Sequence, residues 1–401
     1  MAVEGNSRPA WAEIDLDALR SNARHMTGRL NGAALCAVVK ADGYGHGAVP
    51  AALALLEGGA HGFAVAIVDE GIELRQAHIT APILLLSEPP VDAMVASLAA
   101  GLTPTITTLE GVERVSAAAK QIGGKHQIHI KIDTGMHRTG TDQEGLVSMI
   151  EALAPHDQLV IEGLYTHLAV ADEAGEESEA FTRLQIERFD DAVALATRMG
   201  VTPAVLHIAN SAGALAVPAA RRAMVRSGLA LYGEVPSREV SAHAATESPL
   251  ALTPALTIKA AVSAVRHLDA GDRPSYGRRR PLERAGRVAT VPIGYADGFP
   301  RRLFDAGHEV LIGGRRFPLA GSVTMDQIVV DVGDAPVSVG DEVVLLGAQG
   351  DERISATEWA DHLGTIVYEV LCGIGPRMPR RYIGSPLVAP TVRRRWWRPR
   401  P

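Results

Sequence analysis

The pattern that repeats through the first 230 residues is already present in residues 33–66, AALCAVVKADGYGHGAVPAALALLEGGAHGFAVA. Residues 33–39 form an unbroken apolar run of β-type residues, which predicts a buried strand. Residues 47–58 then carry apolar side chains at helical spacing, and a second strand-like run follows at 61–66. A strand, a helix and a strand in this order predict a β-α-β unit with two parallel strands.

The same alternation continues to about residue 230. Segments of helical apolar spacing recur at 67–77, 110–122 and 177–199. The strand-like runs lie at 33–39, 61–66, 82–86, 104–107, 126–132, 159–166, 204–208 and 223–229. Eight strands that alternate with helices predict an α/β fold, a closed (β/α)8 barrel of the TIM type.

The pattern changes after about residue 245. One helical pattern remains near 355–363, and short Val- and Ile-rich runs separated by Gly, Pro and Asp lie at 256–266, 286–293, 308–312, 328–332 and 342–346. This spacing predicts a second, mainly β domain. We therefore expect the barrel to occupy residues 1–240, the C-terminal β domain residues 241–386, and a flexible basic tail residues 387–401.

Composition and charge exclude several classes of protein. Hydrophobic residues make up 47% of the 401 residues and charged residues 21%, as in soluble globular proteins. The net charge of −7 disfavours nucleic-acid binding, so the basic stretches Arg278–Arg280 and Arg393–Arg400 are interpreted as solvated surface. No run reaches the ~18 apolar residues of a membrane span. Two cysteines and no secretion signal indicate a cytoplasmic protein.

Polar residues suited to anion binding lie near the ends of the predicted barrel strands or directly after them. In such barrels the active site lies where the strands end and the next loops begin. The residues at these positions are Lys40, Lys131, Asp133, Arg138, His167, His207, Asn210, Ser211, Arg226 and Gly228. One face of the barrel would thus carry lysines, arginines, histidines and Gly/Ser-containing loops. This combination predicts an anion site beside a reactive amine.

Lys40 is the candidate for that amine. It follows a buried apolar strand, where loss of solvation lowers the pKa of a lysine and makes it a usable nucleophile. A strand-end lysine that simply reaches solvent is the alternative interpretation. Gly43, Gly45 and Gly47 favour the first interpretation, because three glycines within five residues let the backbone approach a ligand closely.

The segment AVVKADGYGHG (37–47) resembles the lysine motif of alanine racemases, which depend on pyridoxal phosphate (PLP). The resemblance covers about residues 10–385 and extends through AEIDLDALRSN (12–22), KIDTGMHRTG (131–140), YTHLAVAD (165–172), HIANSAG (207–213), MVRSGLALYG (224–233), PSYG (274–277), VPIGYADGFPRR (291–302), SVTMDQ (322–327) and YEVLCGIGPRMPRRY (368–382). It implies PLP as cofactor, alanine as substrate and no metal. It also implies a homodimer whose active sites are shared between subunits, and a role in supplying D-alanine for peptidoglycan.

The resemblance implies two catalytic bases. Lys40 would hold the cofactor and act on the D-alanine side, while Tyr276, donated from the partner subunit, would act on the L-alanine side. Racemisation needs two such groups, because a proton leaves one face of the substrate and returns to the other. From the residues alone, a packed β-domain tyrosine is the alternative interpretation of Tyr276.

The remaining site residues are also implied by the resemblance. The substrate would be bound or enclosed by Arg138, Met325, Tyr295 and Tyr368. The cofactor would contact Lys40, Tyr44, His167, His207, Asn210, Ser211, Arg226, Gly228, Leu229 and Tyr368. Arg226, supported by His207, would face the pyridine nitrogen and leave it unprotonated, which favours proton return over transamination. Lys131 matches a lysine that many relatives carry as a carbamate.

Three other functions remain open on the sequence. A decarboxylase of the same architecture typically has an acid facing the pyridine nitrogen and a β-domain cysteine, where this chain has Arg226 and Tyr276. A serine-preferring or broad-specificity racemase often differs at the entrance tyrosine, whereas Tyr368 is retained. A non-catalytic PLP carrier ends after the barrel, whereas this chain continues through a second domain.

Overall fold

The computed structural model describes residues 8–387. The arginines at Arg393–Arg400, and all but the first residue of the predicted tail, lie outside the described residues. The described chain divides into two compact units, which we call the barrel unit and the β unit. The barrel unit consists of Asp17–Gly43 and Ala48–Thr253, and the β unit of 8–16, Tyr44–Gly47 and Pro254–Ser385. The domain limits expected from the sequence stay a prediction.

Strands and helices are numbered in chain order. The strands are β1 (Ala10–Asp15), β2 (Ala34–Val38), β3 (Gly62–Val65), β4 (Ile83–Leu85), β5 (Thr105–Ile106), β6 (His126–Lys131), β7 (Leu159–Tyr165), β8 (Val205–His207), β9 (Met224–Ser227), β10 (Leu256–Ala261), β11 (Ala264–Leu268), β12 (Gly286–Val291), β13 (Glu309–Ile312), β14 (Arg315–Pro318), β15 (Ile328–Gly333), β16 (Glu342–Gln349), β17 (Glu352–Ile354) and β18 (Arg380–Ile383). The helices are α1 (Leu16–Arg29), α2 (Lys40–Tyr44), α3 (Ala48–Glu57), α4 (Val68–Gln76), α5 (Val91–Ala99), α6 (Leu109–Ile122), α7 (Gln143–Leu153), α8 (Glu176–Arg198), α9 (Ser211–Ala216), α10 (Arg238–Glu247), α11 (Ala356–Leu363) and α12 (Val367–Cys372). No helix within residues 8–387 has the length and apolar character needed to cross a membrane.

Eight parallel strands of the barrel unit close on one another. They form two runs, β4-β3-β2-β9 and β5-β6-β7-β8. A bridge between Leu84 and Thr103 joins β4 to the start of β5. On the other side, the Arg226 amide donates to the Ala209 carbonyl at 3.0 Å, which joins β9 to the end of β8. The predicted (β/α)8 barrel is confirmed, and each predicted strand overlaps an observed one.

Local sequence explains why the barrel strands and helices begin and end where they do. Every residue of β2, β3 and β4 is buried, as expected for parallel strands covered on both faces. Thr108 caps α6, Asp142 caps α7 and Asn210 caps α9, each by accepting a hydrogen bond from an amide three residues later. The caps start these helices in the loops that follow the strands, where the candidate site residues lie.

The β unit contains two sheets. The larger has the order β14-β13-β16-β10-β1-β18, with β17 paired to β16, and the smaller has the order β11-β12-β15. The run predicted as one strand at 256–266 is two strands, β10 and β11, because the chain passes from the larger sheet to the smaller between them. Strand β1 was not predicted and was counted with the barrel, yet it pairs with β10 and β18.

Candidate active site

Lys40 lies at the start of α2, which is a left-handed turn. Backbone φ lies between 52° and 59° across Ala41–Gly43, a conformation that costs an L-residue about 1–2 kcal/mol. Two carboxylates hold this turn. Glu70 accepts the Ala41 amide at 2.7 Å, and Asp42 accepts the first amide of α3 at 2.8 Å. Lys40 is half-buried, and the backbone turn that follows it is fixed by the carboxylates of Asp42 and Glu70, which belong to the same unit.

Two of the glycines after Lys40 are required by conformation and packing. Gly45 has a φ of 79°, and a Cβ there would collide with the Leu371 carbonyl. Gly47 has a φ of 94°, and a Cβ there would collide with the Tyr382 hydroxyl. Backbone conformation and close packing within the β unit therefore explain glycine at both positions, and the predicted approach of a ligand stays a prediction.

Arg226 is a buried cation at the centre of the barrel site. Its side chain lies on β9, and the residue is 3% exposed. The guanidinium donates to His207 Nδ1 at 2.6 Å, to the Thr166 carbonyl at 2.7 Å and to the Ile208 carbonyl at 3.1 Å. None of these partners is a carboxylate. The charge of Arg226 is therefore stabilised by a neutral imidazole and by backbone carbonyls.

A chain of hydrogen bonds extends from Arg226 into the barrel. His207 Nε2 lies 2.9 Å from His129 Nδ1, and His129 Nε2 lies 3.3 Å from a Glu162 carboxylate oxygen. Because Arg226 donates to Nδ1 of His207, the hydrogen of that ring is assigned to Nε2. Burial, followed by the Arg226 charge, holds the pKa of His207 well below its ordinary value. His207 is therefore neutral and does not compete with Arg226 for an anion.

Two further predicted residues, Lys131 and His167, are affected by the charge of Arg226. Burial, followed by the charges of Arg138, Arg226 and Lys40, lowers the pKa of Lys131 to about 8. Burial, followed by the same two arginines, lowers the pKa of His167 well below its ordinary value. Four of the residues from which the sequence predicted an anion site, Lys40, Lys131, Arg138 and Arg226, are lysines or arginines that act on this part of the barrel unit.

The residues expected to hold the phosphate also meet in the barrel unit. Ser211 is buried, and its hydroxyl accepts the Gly228 amide at 3.0 Å and lies 3.3 Å from the Ser227 hydroxyl. Asn210 caps α9, and Leu229 is buried at the start of a 3-10 helix. Backbone amides and hydroxyls at the ends of adjacent parallel strands are groups that bind phosphate.

The β unit carries the other predicted residues. The rings of Tyr44 and Tyr368 lie 6.0 Å apart, and burial, followed by the Tyr368 charge, raises the pKa of Tyr44. Tyr276, Tyr295 and Met325 are 69%, 43% and 51% exposed. Large side chains exposed to this degree are available for contact with a ligand or a partner chain.

A strained turn presents Tyr276. Ser275 and Arg278 have φ values of 68° and 47°, which non-glycine residues rarely adopt. The Ser275 hydroxyl holds the turn by donating to the Ser322 carbonyl at 2.5 Å. Strain of this kind persists where surrounding contacts maintain it, and it concentrates at functional sites.

Sequence reasoning missed His129 and Glu162 in the barrel unit and the buried Asp297 in the β unit. His129 lies two positions before Lys131 on β6, so the two-residue period of a strand could have placed both on one face. Glu162 gave no comparable signal. Asp297 stands in the quoted segment VPIGYADGFPRR, but nothing in its spacing marks a buried carboxylate.

Comparison with known proteins covers nearly the whole chain. Family models described as alanine racemase, N-terminal domain and C-terminal domain match residues 14–236 and 255–382. An alanine racemase of Symbiobacterium thermophilum is 46% identical over 379 residues, which cover 94% of this chain and 98% of that protein. The crystal structure of alanine racemase from D-cycloserine-producing Streptomyces lavendulae gives a TM-score of 0.88 at 37% identity, covering 95% of this chain and 98% of that one. A histidine racemase of Leuconostoc mesenteroides is a more distant structural neighbour, with a TM-score of 0.84 at 27% identity over 95% of this chain and 99% of that one.

Proposed function

This chain belongs to the alanine racemase family, and we propose that it interconverts L-alanine and D-alanine. The chemistry is an isomerisation in which the α-proton leaves one face of the amino acid and a proton returns to the other. Arg226 is the observation in the site that supports this proposal best. It places a cation without a carboxylate partner where the resemblance puts the cofactor's pyridine nitrogen.

The residues of the site fit PLP, the cofactor on which this family depends. The excess positive charge around Arg226 and the donors near Ser211 suit its phosphate and the carboxylate of a substrate. When bound, PLP supplies an electron-withdrawing ring that makes the α-proton of an attached amino acid removable. We propose that it is held by Lys40, Tyr44, His167, His207, Asn210, Ser211, Arg226, Gly228, Leu229 and Tyr368.

Arg226 determines which reaction is favoured. An arginine keeps its proton at neutral pH, so it can donate hydrogen bonds to a ring nitrogen without protonating it. The neutral His207 accepts one N–H of Arg226 and holds the guanidinium in place. By leaving that nitrogen unprotonated, Arg226 would favour return of the proton to the α-carbon over transamination. This is the behaviour expected of a racemase.

Lys40 and Tyr276 would move the proton. We propose that Lys40 Nζ removes or returns it on the D-alanine side, and that the hydroxyl of Tyr276 from the partner subunit does so on the L-alanine side. The 69% exposure of Tyr276 within one chain supports its insertion into a partner. Arg138 and the Met325 amide would bind the carboxylate, and Tyr295 and Tyr368 would narrow the substrate entrance. Steric exclusion of this kind would reject bulkier amino acids.

Two further features belong to this proposal. Lys131, whose amine donates to the Thr139 hydroxyl at 2.6 Å, would carry a carbamate that offsets the charge of its cationic neighbours. Cys36 and Cys372 form no disulfide, which supports a cytoplasmic enzyme supplying D-alanine for peptidoglycan. The barrel domain at 1–240, the β domain at 241–386 and the shared homodimer sites also remain proposals.

Incubation of the PLP-loaded protein with L-alanine in deuterated water tests the reaction. We expect α-deuterated D-alanine without loss of carbon dioxide. Lys40→Ala should abolish it, and borohydride reduction followed by peptide mass spectrometry should find cofactor on Lys40 only in the unaltered chain. Lys120→Ala, at an exposed lysine of α6, is the matched control and should change neither result. Cofactor on Lys40 with no exchange at the α-carbon would contradict the assignment.

A further inference from the structure

Asp297 is a buried carboxylate in the β unit to which no catalytic or binding role has been given above. The residue is 1% exposed, and four hydrogen bonds converge on its two oxygens. Arg8 donates to both oxygens, at 2.7 and 2.6 Å, Arg377 donates to one at 2.9 Å, and the Gly294 amide donates to the other at 2.9 Å. A buried carboxylate with this many donors is strongly fixed, because charge-assisted hydrogen bonds hold both of its oxygens.

The same two arginines also bind the residue that follows Met325. Arg8 donates to the Asp326 carbonyl at 2.9 Å, and Arg377 donates to the Asp326 carboxylate at 2.7 Å. Each arginine therefore joins Asp297 to Asp326. The segment that contains Met325, whose amide is the proposed carboxylate ligand, is held from two directions by the buried Asp297.

Backbone contacts join the Tyr295 segment to the Met325 segment directly. The Tyr295 amide donates to the Thr324 carbonyl, and the Ala296 amide donates to the Met325 carbonyl, both at 3.1 Å. A Cβ on Gly294 would collide with the carbonyls of the same two residues. The two segments therefore lie in contact, and the Asp297 bond to the Gly294 amide fixes the start of the Tyr295 turn.

A third segment reaches the same carboxylate residue. The Gly375 amide donates to the Asp297 carbonyl at 3.1 Å, and Arg377 lies two residues further on. Both belong to the chain that follows α12, the helix that carries Tyr368. The three substrate-side residues that the β unit would contribute, Tyr295, Met325 and Tyr368, thus come from segments that meet at Asp297.

We propose that Asp297, together with Arg8 and Arg377, is a positioning centre that sets the shape of the alanine pocket. Asp297 touches neither substrate nor cofactor in this proposal, and it acts through the placement of Tyr295 and the Met325 amide. The inference rests on the proposed function, because it takes these two groups to contact the substrate. Hydrogen bonds from Arg8 and Gly294 hold the pKa of Asp297 below its usual range although burial alone would raise it, so the centre stays ionised at neutral pH.

The test compares Asp297→Asn and Arg377→Gln with the unaltered, PLP-loaded enzyme. Asp297→Asn removes the charge at nearly constant volume. Arg377→Gln is the milder change, because that side chain is 45% exposed and Arg8 still pairs with Asp297. We expect both variants to raise KM for L- and D-alanine roughly tenfold with kcat nearly unchanged, since small misplacement of binding groups weakens binding before it affects the proton transfer. The preference for alanine over serine should fall in parallel.

Arg316→Gln is the matched control. Arg316 is likewise a multiply paired arginine of the β unit, bound to Glu352 and Glu358, and it has no bond to the segments of Tyr295 or Met325. It should lower thermal stability without changing KM. Amide hydrogen exchange should rise at 294–298 and 324–327 in Arg377→Gln and not in Arg316→Gln.

The two proposals can fail separately. Absence of racemisation in the unaltered chain would overturn the function, and the positioning centre would then be judged on hydrogen exchange alone. Unchanged KM in Arg377→Gln alongside raised exchange at both segments would overturn the inference and leave the function standing. An equal KM change in Arg316→Gln would also overturn it, since the effect would then follow from general loss of stability.

Discussion

At the scale of single residues, the barrel site is defined by an excess of cations. Burial, followed by the charges of Arg138, Arg226 and Lys40, lowers the pKa of Lys131. The positive form of Lys131 is therefore made less favourable by its cationic neighbours as well as by burial. The site therefore gains from any anion it can bind or create, whether a phosphate, a carboxylate or a carbamate.

Lys131 is predicted to bind carbon dioxide as a carbamate. The reaction needs the neutral amine, and a pKa lowered from its ordinary value near 10.5 to about 8 makes that form much more abundant at neutral pH. Carbamate content should therefore rise steeply as pH increases toward 8 and level off above it. Intact-mass measurement under non-acidic conditions, with and without added bicarbonate, would detect the carbon dioxide.

The functional consequence has its own control. Removal of carbon dioxide should raise KM for alanine several-fold in the unaltered enzyme, because Arg138 loses its anionic neighbour. Addition of bicarbonate should return KM to its original value. Lys131→Gln cannot form a carbamate, so its KM should not respond to bicarbonate. A bicarbonate response in Lys131→Gln, or none in the unaltered enzyme, would contradict the assignment.

At the scale of elements, the pairing of β6 with β7 explains how two histidines fit inside the barrel. The register shifts between Ile128 and His129, and His129 then lies opposite Gly163. A Cβ on Gly163 would lie 2.6 Å from the His129 ring. The ring cannot move away cheaply, because it is fully buried and bonded to His207 and Glu162.

Gly163→Ala should therefore destabilise the barrel by about 1–3 kcal/mol, the usual cost of overpacking a core. Gly28→Ala is the control, since it lies within α1 with nothing within 4 Å of the added Cβ. That change should be neutral or stabilising by up to about 1 kcal/mol. Urea unfolding followed by circular dichroism measures both. Equal stability of the two variants would show that His129 does not depend on the space left by Gly163.

The predicted strands differ from the strands that were not predicted in how much of each strand is buried. Barrel strands such as β2, β3 and β4 were predictable because both faces are buried, so each is an apolar run. Strand β1, AWAEID, alternates buried and half-buried residues, and its charged positions interrupt the apolar pattern. Strands β14 and β18 contain paired arginines, Arg315–Arg316 and Arg380–Arg381, which periodicity alone assigns to loops.

At the scale of the whole molecule, the candidate residues of the two units were unequally predictable. Those of the barrel unit lie at or near strand ends, so a general rule about parallel barrels located Lys40 and Arg226 without any knowledge of a family. Tyr276, Tyr295 and Met325 belong to the other unit, and only the resemblance connected them to the site. The His129–Glu162 pair and the Asp297 centre depend on contacts between segments distant in sequence. Neither the barrel rule nor the family resemblance predicts such contacts.

The last prediction concerns the proposed assembly of two chains. A chain with Lys40→Ala and a chain with Tyr276→Phe each lack one base, so each alone should racemise alanine very slowly. If Tyr276 serves the partner's site, a mixed dimer contains one site with Lys40 and Tyr276 both intact and one site with neither. Random pairing of equal amounts makes half of the dimers mixed, so about a quarter of the sites should recover activity.

Two differently tagged chains, refolded together and purified through both tags, give mixed dimers free of the parents. These should have about half the activity of the unaltered dimer, since one of two sites is complete. The parents refolded separately and then combined are the control for contamination. If each site instead used both residues of one chain, every site in the mixed dimer would lack a base, and purified mixed dimers would be as slow as the parents. The exposure of Tyr276 in a single chain favours the first outcome.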